Sequence, residues 1–136
     1  MNTKIIKIIV FSCIGLLLLS CSGNAIYCDI ENQTINRCSG TVFNRLEIST
    51  DSLQLVTFIK KKENKKGVSR LNINNIDSDY IIEEVFGRGI LKSFTLLPNR
   101  EYLLLHSSIG DAATAELTIR TDSVSRIVYA SKTSCR

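Results

Sequence analysis

The chain has 136 residues, 17 Lys and Arg against 13 Asp and Glu, and a net charge of +4. That balance is too small for a nucleic-acid footprint, and a single His leaves almost no imidazole chemistry. The length allows one domain with a modest core.

Residues 1–20 read as an export segment. Lys4 and Lys7 make a positive start. Ile8 to Leu19 is an apolar run, broken by Ser12, Cys13 and Gly15, about as long as a signal-peptide core and short for a membrane span. It ends in Leu18-Leu19-Ser20-Cys21, which resembles the bacterial lipobox, although Leu19 stands where a smaller residue is usual. The resemblance implies that Cys21 is lipidated and becomes the new N-terminus. Several acyl chains, at about 0.8 kcal/mol per buried methylene, hold where one does not. Ser22, in place of Asp, implies sorting to the periplasmic face of the outer membrane. The alternatives are cleavage after Ala25, with Gly23 and Ala25 as the small residues, or an uncleaved span. The expected layout is a signal peptide at 1–20, an anchor and short tether at 21–26, and one domain at 27–136.

Cleavage before Cys21 leaves 116 residues and, without Lys4 and Lys7, a balance of +2. Three further cysteines remain: Cys28, Cys38 and Cys135. An exported chain is oxidised, so a disulfide is expected, and an odd number leaves one thiol over. Cys28–Cys135 would close nearly the whole domain, worth about 4 kcal/mol in the loop-entropy model. Cys28–Cys38 and Cys38–Cys135 are the other pairings, and a bond that includes Cys135 is favoured. A metal site is not indicated by these spacings.

From residue 25 onward the periodicity is that of strands. The expected strands are Ala25 to Ile30, Thr41 to Ile48, Leu53 to Lys60 and Val68 to Ile73. Tyr80 to Phe86 follows, with Ile82 and Val85 as core members. Gly87-Arg88-Gly89 then turns the chain into an arm from Leu91 to Leu96. Glu101 to Ser107, Ala113 to Thr121 (Ala115, Leu117 and Ile119 inward) and Ser125 to Ser131 complete the set. About seven or eight strands without a helix are most simply accommodated as an all-β pair of antiparallel sheets packed face to face; a small closed barrel is the alternative.

Leu96-Leu97-Pro98-Asn99-Arg100-Glu101-Tyr102 has the order Leu-x-Pro-x-x-x-Tyr. This resembles the tyrosine corner of fibronectin type III and other immunoglobulin-like sandwiches. The resemblance implies that Tyr102 opens a strand and returns its hydroxyl to backbone a few residues upstream. Leu96, Pro98 and Tyr102 are then structural. Pro98 fixes φ and lacks an N–H, which suits a corner. A buried Tyr needs a hydroxyl partner, and a corner carbonyl needs a donor.

His106-Ser107-Ser108-Ile109-Gly110-Asp111 contains Ser, His and Asp, but a triad needs them to converge from separate elements. No Gly-x-Ser-x-Gly elbow is present. Glu83 and Glu84 are strand neighbours and point to opposite faces. No catalytic set and no cofactor site is therefore expected. The binding candidates are His106 and Asp111 in a loop at one end of the sandwich, Arg88 between two glycines, and Lys61 and Lys62 in the run Lys60-Lys61-Lys62-Glu63-Asn64-Lys65-Lys66. That run suits an anionic lipid, a glycan or an acidic partner, or serves as a solvated hairpin tip.

The layout of lipobox, early and late Cys, and a Leu-x-Pro-x-x-x-Tyr strand resembles the immunity lipoproteins of contact-dependent and type VI secretion. The resemblance implies a non-catalytic, membrane-held module whose loops block a toxin. A second reading is a lysozyme inhibitor: Tyr27-Cys28, the Ser107-Ser108-Ile109-Gly110 loop and Cys135 are similar to the membrane-bound C-type inhibitors, but their Ser-Gly-x-x-Tyr string is absent. A third is a structural or assembly lipoprotein of a secretion or pilus system.

Overall fold

A computed structural model describes residues 24–50, 56–87, 89–108 and 114–136. The expected lipid site Cys21, together with Arg88 and Asp111, lies outside the described residues, as do the signal segment and residues 53–55 of the expected third strand.

Among the described residues the chain forms ten strands and no helix. β1 (Ile26–Asp29) and β2 (Thr34–Arg37) make a hairpin, and β5 (Arg70–Asn72) pairs with the other side of β2. The remaining seven strands are β3 (Arg45–Thr50), β4 (Val56–Lys61), β6 (Tyr80–Val85), β7 (Gly89–Leu91), β8 (Glu101–Ser107), β9 (Thr114–Thr121) and β10 (Ile127–Ala130). Their order across the second sheet is β10-β9-β8-β3-β4-β6-β7. Every pairing is antiparallel. The protein is thus the β-sandwich its periodicity demands, divided unevenly into three strands and seven.

The core lies between the sheets. Leu46 and Ile48, Ile59, Leu104, and Leu117 and Ile119 project from alternate positions of the large sheet. They meet Ile26, Cys28, Ile35 and Leu71 from the small one. Ile82 and Val85, three apart on one strand, cannot both face inward; Ile82 is buried and Val85 is half-buried on the outer side. Phe43 escapes the alternation because β3 begins only at Arg45, and it turns into the core.

β2 was not apparent in the periodicity because all four of its residues are buried. Its Asn36 is satisfied within β2 and from β5: the side-chain amide donates to Thr34 Oγ1 at 3.1 Å, and Arg70 Nε donates to Asn36 Oδ1 at 3.0 Å.

The arm at 91–96 is strand only as far as Leu91. From Lys92 the chain leaves the β7 edge and passes over to β8, with β6, β4 and β3 lying between those two strands in the sheet. Leu96 is buried on the way, and its N–H donates to Asn74 Oδ1 at 3.0 Å. At the corner, Leu97 N–H donates to Tyr102 Oη at 2.7 Å. The tyrosine is therefore the acceptor, and the carbonyl of Leu97 receives its donor from Thr121 Oγ1 at 2.6 Å. Asn99 takes the positive φ of 52° that the turn requires, a conformation Asn tolerates well.

Tyr80 makes a second tie of this kind. Its hydroxyl accepts from Val68 N–H at 2.9 Å and donates to the Phe43 carbonyl at 2.9 Å. Gly67 beside it has φ +72°, and a Cβ there would meet Tyr80 Oη and the Lys61 side chain.

Three links hold the small sheet to the chain's last residues. The Gln33 side-chain amide accepts from Ile127 N–H at 2.7 Å and donates to Ile127 O at 2.9 Å. Cys28 N–H donates to Lys132 O at 2.9 Å. Cys38 is bonded to Cys135, 97 positions further along the chain, with Cα atoms 5.5 Å apart.

Replacing Gln33 by Ala strips both Ile127 backbone groups of their partner. We expect a loss of at least about 1 kcal/mol in urea unfolding. Tyr102→Phe leaves Leu97 N–H without its acceptor and is expected to cost about 1–3 kcal/mol. An unchanged urea midpoint in either variant would contradict the corresponding tie.

Candidate functional site

The strands align the sandwich so that it has two unlike ends. At the first, the chain enters at Asn24, which is buried. Arg37 reaches Asn24 Oδ1 at 3.5 Å and donates to the Val42 carbonyl at 2.7 Å. His106, the penultimate residue of β8, places Nδ1 3.2 Å from the Asn24 carbonyl. Its ring also meets Phe43 edge-on, with centroids 5.2 Å apart.

His106 is therefore not a loop residue available to a partner. It is 0% exposed, because the alternation of β8 points it inward beside Leu104. Burial, and then the charge of Arg37, push its pKa below the ordinary imidazole value, against the pull of the Asn24 bond. The ring is neutral, with Nδ1–H donating to Asn24. Nε2, without a hydrogen-bond partner among the described residues, keeps only a lone pair, which is less costly to bury than an orphaned N–H.

Lys61 and Lys62 lie at this same end, since Lys61 N–H donates to Asn44 O at 2.9 Å. Neither projects freely. Lys61 Nζ donates to the carbonyl of Lys65 at 2.9 Å and that of Lys62 at 3.2 Å, and Lys62 Nζ donates to Ser78 O at 2.6 Å. They brace the 62–66 turn through bonds to carbonyls and not to a carboxylate. Lys60 instead pairs with Glu83 at 2.9 Å on the outer face. Glu84, on the opposite face of β6, is buried.

Cys28 is the thiol left over. It is 0% exposed, and burial first, then the nearby Asp29 carboxylate, push its pKa up to about 11. It packs as a small hydrophobe. Among the described residues no group of three His, Cys, Asp or Glu side chains converges as a metal cage, and no helix is long and apolar enough to cross a membrane.

The second end is different in character. The β6–β7 hairpin turns through Phe86, which is 92% exposed and held at φ 63°. Gly87 follows; a Cβ there would collide with the Glu84 carboxylate. Ile90, on the β7 edge strand, is 75% exposed. Beside the hairpin, the crossing segment leaves a cavity of about 280 Å³ against the inner face of the large sheet. Glu84, Thr57, Leu91, Phe94, Leu97 and Tyr102 line it. Of the corner residues Leu96, Pro98 and Tyr102, the last thus lines a cleft as well as tying the fold.

No family model, curated protein or solved structure matches this chain. The site must be read from its geometry.

Of the sequence candidates, Lys61, Lys62 and His106 come together at one end, and His106 is interior. The exposed apolar end was missed. Its signal was there in Phe86-Gly87, an aromatic in a turn where Asn or Asp is the usual occupant.

Stability should respond to His106. Below about pH 6.5 the unfolded chain binds a proton that the folded ring refuses. Stability is complete above that pH and declines as pH falls until the folded ring protonates. Asp29, whose pKa is lowered chiefly by its bonds to Asn32, acts only below the ordinary carboxylate range. The urea midpoint is expected to be lower at about pH 5 than at about pH 7.5, and the drop to shrink in His106→Gln. Equal drops in the two proteins would remove His106 as the cause. Cys28 is expected to resist iodoacetamide at pH 8 until the protein is unfolded; rapid labelling of the native protein would contradict its burial.

Proposed function

We propose that this chain is a non-catalytic, lipid-held module of the bacterial envelope that binds another protein through its hairpin end. The preferred partner is a toxin acting in the periplasm, which makes the chain an immunity or inhibitor protein. The observation that carries the binding reading is Phe86. A bulky residue at positive φ costs of order 1–3 kcal/mol, and an exposed aromatic recovers none of it in the free protein. Such a cost is accounted for if the ring is buried by a partner, and aromatics are enriched among the residues that dominate interfaces. Ile90 extends the apolar surface along the edge strand, where backbone groups are open to pairing. Glu84 lines the adjacent cleft and gives it an acidic wall.

The envelope setting rests on the apolar leader and its Leu-Leu-Ser-Cys ending, and the toxin reading on the layout that resembles immunity lipoproteins. An inhibitor of this kind needs only a tether and a rigid binding end. The Cys38–Cys135 bond, typical of oxidising compartments, agrees with export.

The test is capture from envelope extracts with the mature protein and with Phe86→Gly and Ile90→Ser. Phe86→Gly relieves the backbone and should unfold at no lower urea concentration than wild type. It should nonetheless lose the partner at least tenfold, the loss expected of an aromatic anchor. A captured hydrolase whose activity the chain inhibits supports the immunity reading. A secretion or pilus subunit in its place points to assembly, and capture unaffected by both variants would sink the hairpin as the contact.

A further inference from the structure

We infer that the end of the sandwich where the chain enters is a second interaction surface, and that its partner is the anionic phospholipid headgroup layer of the bilayer holding the lipid. The inference rests on the reading of Cys21 as the lipid site.

Only Ser22 and Gly23 separate Cys21 from Asn24. Three residue steps span at most about 11 Å, so the entry end cannot stand further than that from the acyl attachment. Asn24 is itself fixed, buried against Arg37 and His106. The Debye length at physiological salt is about 8 Å. Charges around Asn24 therefore feel the surface potential of the membrane. The far end does not, because β8 alone carries the chain about 17 Å from His106 to Glu101.

The charges are arranged accordingly. Around the entry end stand Arg45, Lys61, Lys62, Lys65 and Lys66. Against them are Glu63, Asp77 and Asp79, and the last two are engaged by backbone: Asp77 Oδ1 accepts from Asp79 N–H at 2.8 Å, and Asp79 Oδ2 from Gly67 N–H at 3.0 Å. Lys61 and Lys62 bond to carbonyls, which hold the ammonium groups in place without neutralising them. Lys65 and Lys66 are exposed at the turn. Toward the far end stand Arg100, Arg120 and Arg126 with Asp29, Glu31, Glu101 and Asp122, and Arg120 faces Glu101 at 3.8 Å. The excess of positive charge is thus at the end that the tether holds to the surface. Each lysine brought to an anionic leaflet contributes about fivefold to association. The same contact sets the orientation of the domain: the entry end lies on the headgroups and the Phe86 hairpin points away from them.

The mature protein taken from envelopes tests this. Its mass first shows whether Cys21 is acylated; an unmodified Cys21 overturns the anchor reading itself. The acylated protein is then reconstituted in vesicles of phosphatidylcholine alone and of phosphatidylcholine with phosphatidylglycerol, and its lysines are acetylated and read by mass spectrometry. Lys65 and Lys66 are expected to be about fivefold less reactive in the anionic vesicles than in phosphatidylcholine alone, with the protection lost in high salt. Equal reactivity of Lys65 and Lys66 in the two vesicle types overturns the surface assignment while leaving the anchor standing.

Discussion

The fold depends on how a sheet too small to stand alone is held in place. β1 and β2 have four residues each and β5 has three. A sheet of that size is at best marginal without a partner. Yet it must cover the inner face of the large sheet, because Leu46, Leu104, Leu117 and Ile119 have nowhere else to be buried. Burial supplies the drive, but apolar contact is non-directional and does not fix position. Position comes from the chain's last residues. Ile127 bonds the Gln33 amide as it would a neighbouring strand, Lys132 O receives Cys28 N–H, and Cys135 closes on Cys38. A loop of nearly 100 residues makes that bond worth roughly 4–5 kcal/mol in the chain-entropy model. The disulfide also excludes the competing pairing that would have used Cys28, whose thiol is needed as core packing.

A polar knot lies at one edge of this core. Arg37, His106 and Asn24 are all buried, and burying a guanidinium is costly unless its donors are met. Here Arg37 donates to the Val42 carbonyl and reaches the Asn24 side chain. The imidazole beside it stays neutral, since a second cation there would face both desolvation and like charge. The knot therefore fixes where the chain enters. Asn24 is gripped by β2 through Arg37 and by β8 through His106, so one residue is tied to both sheets.

Much of this was legible in the sequence and some was not, for physical reasons. Strands with one wet face announced themselves: β9 alternates as read, and Leu117 and Ile119 are buried. β2 did not, because a strand buried on both sides has no alternation to show and its Thr, Asn and Arg look like loop. The Leu-x-Pro-x-x-x-Tyr string located a real corner, with Tyr102 Oη on Leu97 N–H. It did not reveal that Thr121, from β9, would be the hydroxyl donor, since that contact is made across the sheet. For the same reason Lys61 and Lys62 read as free charge: their carbonyl partners come from turn geometry. Gln33 carried no signal at all, because its partner lies 94 residues away.

The two ends divide the work of the molecule in a way the physics makes consistent. At the entry end nearly every feature lowers free energy: carbonyls cap ammonium groups, a tyrosine hydroxyl ties two loops, and the disulfide closes the chain. At the hairpin end the opposite holds. Phe86 combines an unfavourable φ with an aromatic ring in water, and Ile90 lies bare on an edge strand. Folded proteins tolerate such local costs only when the surrounding structure over-determines them. Here the hairpin is clamped by its pairing to β6, and β6 in turn by Tyr80. Stability concentrated at the entry end thus permits strain at the opposite tip. On the proposed reading, a tip already held in place would lose little conformational entropy on binding, so that a small apolar surface suffices as an anchor.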